Sequence, residues 1–147
     1  MKKVILAVVV AVALQASAFA APTPNVTERV MKAFSSTFNS ASDILWSEVD
    51  GIYEARFTYN DILTRVRYDA DGNSLMTIRY YYEQQLPLSV LTKVKKEYSA
   101  QKVHSVTELT IGDSTEFHIT LEDQKNWTIV IADNMGGLRE SKKLIKA

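Results

Sequence analysis

His104 and His118 are the only histidines of the 147-residue chain, and there is no cysteine. Thiol catalysis and thiolate metal sites are therefore impossible. A zinc site usually takes three or four ligands, and His118, between Glu116 and Thr120 on the polar side of an alternating stretch, has no second histidine near it. Asp69-Ala70-Asp71-Gly72-Asn73 has the carboxylates of a calcium loop but not its spacing. Its glycine comes too early and no glutamate follows at the closing position, whereas Asp-Gly is itself a strong hairpin signal. Asp113-Ser114 with His118 lacks the elbow glycines and the oxyanion site of a hydrolase, and reads as a turn followed by a strand. Asn25-Val26-Thr27 and Asn126-Trp127-Thr128 match glycosylation sequons, which matter only in a host that glycosylates. We assign no catalytic residue, metal or cofactor, and the chain does not read as an enzyme.

Recognition chemistry is better represented. Arg, Tyr and Trp are the residue types that most often anchor protein interfaces. Arg56, Arg65, Arg67, Arg79 and Tyr81 fall in one alternating region, with Glu54 opposite Arg67 if the strands pair as described below. Trp127, Ile129 and Ile131 form a second stripe, joined by His118, Thr120 and Glu122. Three isoregister apolar residues on a solvated face call for a cover. Either Leu144 and Ile145 or the N-terminal lead-in lies over them, or a partner does.

The elements that position these residues follow from periodicity. Val26, Val30, Phe34 and Phe38 recur every fourth residue, with Met31 beside them, and predict a helix that Asn25 or Thr27 can cap. A second helix begins at Leu86-Pro87-Leu88-Ser89, where Pro87 suits a first turn, and continues through Val90, Leu91, Val94 and Tyr98. Between and after them the period is two. Tyr53, Ala55, Phe57 and Tyr59 alternate with polar residues, Asn60-Asp61 makes a two-residue hairpin turn, and the next strand runs from Leu63 to Tyr68. That turn puts Tyr53, Ala55 and Phe57 opposite Tyr68, Val66 and Thr64. Asp71-Gly72 leads into a strand near Leu75 to Tyr82.

The layout returns with an ungapped offset of 64, Val26 and Val30 falling on Val90 and Val94, Leu45 on Leu109, and Phe57 on Leu121. We read two tandem copies of helix-then-strands, about 25–85 and 86–147. Each helix covers the apolar side of its strands. The expected fold is α+β, an antiparallel sheet of about seven or eight strands with both helices on one face, and Arg56, Arg65, Arg67, Arg79, Tyr81 and Trp127 on the other.

The N-terminus predicts export. Lys2 and Lys3 precede the apolar run Val4 to Leu14, and Ala18-Phe19-Ala20 fits the A-x-A rule, so residues 1–20 read as a signal peptide cleaved after Ala20. The run is too short for a bilayer, which needs about 20 apolar residues, and no cysteine follows it for lipid attachment. Residues 21–147 suit one domain large enough for a core without disulfides. Seventeen Lys and Arg balance seventeen Asp and Glu, and loss of Lys2 and Lys3 leaves a mature charge of −2. That gives no footprint for nucleic acid or anionic lipid. The expected location is periplasmic or secreted.

Phe34 and Phe38 before Ala41, then Trp46, Tyr53-x-x-x-Phe57, Tyr68-Asp69-Ala70-Asp71-Gly72 and Leu86-Pro87-Leu88-Ser89-Val90 resemble the PepSY-like family, the β-lactamase-inhibitor-like proteins of bacterial envelopes. The chain departs from that pattern in having Asn39 where the family often has proline, and in lacking the disulfides of the inhibitors of this fold. The resemblance implies a tandem α+β domain whose open sheet face binds an envelope protein or peptide, and it implies no catalytic residues. The alternative from the residues is a carrier of a small hydrophobic ligand, with a pocket between helices and sheet near Tyr80 and Tyr82.

Overall fold

A computed structural model describes residues 24–147; the signal peptide and cleavage site expected from the sequence lie outside the described residues. The fold is α+β. Helix α1 (Glu28–Thr37) is followed by strands β1 (Ser42–Val49), β2 (Ile52–Tyr59), β3 (Ile62–Tyr68) and β4 (Ser74–Tyr81). A short 3-10 turn (Glu83–Gln85) leads to α2 (Leu88–Glu97), and β5 (Lys102–Ile111), β6 (Ser114–Glu122), β7 (Asn126–Asp133) and β8 (Leu138–Ile145) complete the chain. The eight strands form one open antiparallel sheet in sequence order, with β1 and β8 at its edges.

Thr27 caps α1, its hydroxyl accepting from the Val30 amide, which satisfies one of the free donors of a helix start. The helix turns Val30 and Phe34 inward, while Met31, predicted beside the stripe, is exposed. α2 follows Pro87 and buries Val90 and Val94. Both helices lie on the same side of the sheet. Val30 and Phe34 pack on Ala55, Phe57, Val66 and Tyr68, and Val90 and Val94 pack on Val106, Phe117, Ile119, Leu121 and Val130.

The hairpin between β2 and β3 follows its turn chemistry. Asn60 and Asp61 both have positive φ, as a type I′ turn requires, and Tyr53, Ala55 and Phe57 pair with Tyr68, Val66 and Thr64 as expected. At the next corner Asp69 Oδ1 accepts from the amides of Asp71 and Asn73. The carboxyl that resembled a calcium ligand is thus engaged in closing a turn, and the side-chain and backbone bonds from Asn73 hold it below its ordinary pKa.

The two halves share a ladder, but the ungapped offset of 64 needs correction. Trp46 pairs with Ala55 and Val106 with Ile119. Trp46 thus corresponds to Val106, an offset of 60, and Ala55 to Ile119, an offset of 64. The buried helix residues likewise correspond as Val30 with Val90 and Phe34 with Val94, not Val26 with Val90, and Leu45 corresponds to Ser105, not Leu109. The cause is the second hairpin, in which β5 and β6 extend to the pair Ile111–Ser114, four residues longer than β1 and β2, which close at Val49–Ile52.

Candidate functional site

Side chains directly opposed across an antiparallel sheet point to the same face. On the side away from the helices, one row runs Leu45, Arg56, Arg65, Ile78, Leu109, Glu116 and Asp133. A parallel row pairs Ser47, Glu54, Arg67 and Met76. Glu54 links the two rows. Its carboxylate accepts from Arg65 Nε at 2.9 Å and from Arg67 Nε at 2.7 Å. Burial alone would raise the Glu54 pKa, but the bonds from Arg67 and Arg65 outweigh it and hold the carboxyl below its usual range. Arg65 shifts upward, chiefly through its bond to Glu54. These three residues, with Ser47, Val49 and Ile52, line an open groove of about 460 Å³. Arg56, beside them, is exposed and is in no ion pair among the described residues.

Arg79 and Tyr81 are not on this face, contrary to expectation. Arg67 pairs with Met76, but its neighbour Tyr68 pairs with Ser74, so Leu75 is an extra residue in β4. A bulge of one residue moves every following side chain to the opposite face. Arg79 therefore shares the helix-covered side with Thr64, and Tyr81 is buried in the second core. There Glu108 accepts from Tyr81 Oη at 2.6 Å and from Arg79 Nη1 at 3.1 Å, with the guanidinium 5.4 Å from the Tyr81 ring. Burial and the adjacent Glu108 push the Tyr81 phenol well above its ordinary pKa. This network joins the halves across the β4–β5 seam. A bulge hidden in an alternating stretch leaves no sequence signal, so Glu108 escaped notice.

Trp127 is on the outer face, opposite Glu122 on one side and Leu144 on the other. It is half-buried by its own neighbours. The His104 ring meets it edge-on at 4.7 Å, and Lys146 Nζ sits 4.4 Å from its centroid. Glu122 accepts from Lys146 at 3.1 Å and lies 3.7 Å from His104. The Lys146 bond is the main reason that the Glu122 carboxyl titrates below its usual value. Of the expected covers, Leu144 pairs alongside the tryptophan instead of over it, and Ile145 is 85 % exposed. Ile131, between His118 and Arg139, is nearly buried.

Each histidine has one carboxylate beside it, Glu116 at 3.3 Å from His118 and Glu122 at 3.7 Å from His104. Among the described residues no group of three or more His, Asp or Glu side chains is placed to hold a metal. The carrier pocket was expected between helices and sheet, near Tyr80 and Tyr82. Tyr80 pairs with Leu63 and Thr107 on the outer face, Tyr82 is 67 % exposed, and the cleft they line holds about 320 Å³. The buried residues between helices and sheet form the two cores. No described helix is long and apolar enough to cross a membrane.

No protein-family model and no curated protein matches the chain. Solved structures do. A BLIP-like protein from Bacteroides fragilis NCTC 9343 is 26% identical, with a TM-score of 0.65 over 82% of this chain and 88% of that one. A candidate periplasmic protein from Bacteroides eggerthii DSM 20697 is 19% identical, with a TM-score of 0.62 over 83% and 90%. A DUF2874 family protein from Bacteroides uniformis ATCC 8492 is 18% identical, with a TM-score of 0.61 over 81% and 88%. The open sheet carrying both helices on one side is a BLIP-like fold.

Proposed function

We propose that this chain is an exported, periplasmic, non-enzymatic module of the PepSY-like kind. It forms one domain over residues 21–147 and binds an envelope protein or peptide on the outer face of its sheet. The observation that carries this reading is the groove in the first half. Glu54 fixes the guanidinium groups of Arg65 and Arg67 in place, so little side-chain entropy remains to be lost when a partner binds, and Arg56 stands exposed beside them. Exposed Leu45 and Val49 flank the same surface. The combination of ordered arginines with apolar neighbours suits an acidic or carboxylate-bearing segment with hydrophobic side chains. Trp127 offers a second anchor, half-buried with His104 at its edge and Lys146 over its face. The BLIP-like neighbour supports a binding role for the fold, and the Bacteroides eggerthii protein supports a periplasmic setting.

The test is capture from an envelope extract by the wild type and by an Arg56→Glu, Trp127→Ala double variant, with circular dichroism confirming that both are folded. We expect a partner that the wild type retains and the variant loses, and whose cross-links fall on β1–β3. Equal capture by both proteins, or cross-links confined to α1 and α2, would refute an outer-face binding site.

A further inference from the structure

The two sheet edges differ in a way that matches them to each other. β1 exposes seven of its eight residues. From 42 to 50 it carries Asp43, Glu48 and Asp50 and no Lys or Arg. β8 is exposed from its second residue onward and is basic, with Arg139, Lys142, Lys143 and the following Lys146 against the single Glu140. Two β1 edges, or two β8 edges, would repel each other. An unlike pair would attract, and both edges present free backbone donors and acceptors.

The internal seam shows what such a pair looks like. β4 meets β5 with Arg79 against Glu108 and Tyr81 against Val106. Lys143 occupies in β8 the place of Arg79 in β4, since Thr128 faces Lys143 as Thr64 faces Arg79. Glu48 occupies in β1 the place of Glu108 in β5, since Tyr53 faces Glu48 as Phe117 faces Glu108. By the same correspondence Ile145 takes the place of Tyr81, and Trp46 that of Val106. β1 and β8 also run in opposite directions, as the first and last of eight successive antiparallel strands, so a translated copy brings them together antiparallel.

We propose that β8 of one copy pairs with β1 of the next through the register of the β4–β5 seam, with Lys143 bonded to Glu48 and Ile145 covering Trp46. Neither Glu48 nor Lys143 is in an ion pair among the described residues, the Glu48 carboxylate accepting from the Gly51 amide at 2.7 Å, and Ile145 is 85 % exposed. The joint is head-to-tail, so it propagates as a filament unless the sheet twist closes it into a ring. It leaves the outer face free and aligns successive faces, and it does not rest on the binding role proposed above.

Sedimentation velocity of the processed protein, over a range of concentrations and at low and high salt, tests this. Association that grows with concentration and weakens with salt is expected. Glu48→Lys alone and Lys143→Glu alone should each abolish it, because each sets like charges across the joint. Mixing the two variants should restore it, since every joint between unlike copies again pairs a lysine with a glutamate. A monomer at all concentrations would overturn the proposal. So would association indifferent to both changes, or sensitive to Glu48→Lys alone, which would place the contact between two β1 strands.

Discussion

The two halves of the sheet use one ladder with different materials. Each half has a ten-residue helix that turns two side chains inward and ends on an aromatic residue whose amide closes the last turn, Phe38 on Phe34 and Tyr98 on Val94. Beneath α1 the packing is aromatic. Phe34 meets Phe57 edge-on at 4.9 Å and Trp46 at 5.2 Å, and Phe38 lies 4.7 Å from Phe57 and 5.2 Å from Tyr59. Beneath α2 it is mainly aliphatic, Val90 and Val94 on Val106, Ile119, Leu121 and Val130. The first core is thus built from a few large side chains whose edges fix one another's orientation. The second has more, smaller contacts that can readjust.

That contrast is sharpest at equivalent helix positions. Phe34→Ala removes a ring that touches three others, and the cavity should cost about 3–5 kcal/mol. Val94→Ala, at the matching place in α2, should cost about 2 kcal/mol, two carbons' worth of burial plus a small void. Urea unfolding of both variants makes the comparison, and equal losses would mean that the halves are not organised differently.

The corners that follow β3 and β7 extend the comparison to backbone. Gly72 and Gly136 both have positive φ, a conformation that costs other residues about 1–2 kcal/mol. A Cβ on Gly72 would sit 2.8 Å from the Arg29 carbonyl oxygen, whereas one on Gly136 would meet only the flexible Lys93 side chain at 3.2 Å. Gly72→Ala should therefore destabilise by about 1 kcal/mol more than Gly136→Ala, given the usual range for backbone strain. Paired melting curves would show it as a lower midpoint for the first variant.

Much of this was legible from residue order alone. The Asn60-Asp61 turn fixed the β2–β3 register, and with it the outer position of Arg56, Arg65 and Arg67, because a two-residue hairpin leaves no freedom in parity. Helix stripes at Val30, Phe34, Val90 and Val94 were equally plain. Sequence reasoning failed where a single residue enters or leaves a ladder. Leu75 is an ordinary apolar residue in an apolar strand, and nothing about it announces a bulge, so alternation alone sets Arg79 and Tyr81 on the wrong face. The extra length of the β5–β6 hairpin was hidden for the same reason: a strand extended by two residues keeps its alternation. Alternation sets Trp127 on the outer face, but His104 from β5 and Lys146 from beyond β8 reach it, and such contacts have no signature in local spacing.

The outer face offers the last comparison, in acid. Glu54 and Glu122 each take a bond from basic neighbours, yet Glu54 sits between two arginines with its side chain 15% exposed, and Glu122 is 33% exposed. Both carboxyls titrate below the ordinary range. A carboxyl whose folded pKa lies below its unfolded value adds stability at pH above the unfolded value, and that stability is lost as pH falls through the folded one. Glu54 should thus contribute about 1 kcal/mol near neutral pH, the scale of a partly screened charged network, and the contribution should fade below about pH 4.3, the unfolded glutamate value. Replacing Glu54 with glutamine removes the titrating group while keeping an acceptor for the arginines. The variant should be less stable than the wild type at pH 7 and converge with it as the pH is lowered through the acid range. Glu122→Gln, in the more solvated setting, should track the wild type closely throughout. If the two variants instead gave the same pH profile, the ordered arginine pair would be no more than a surface ion pair, and the first half would lose its claim as the pre-arranged side of the face.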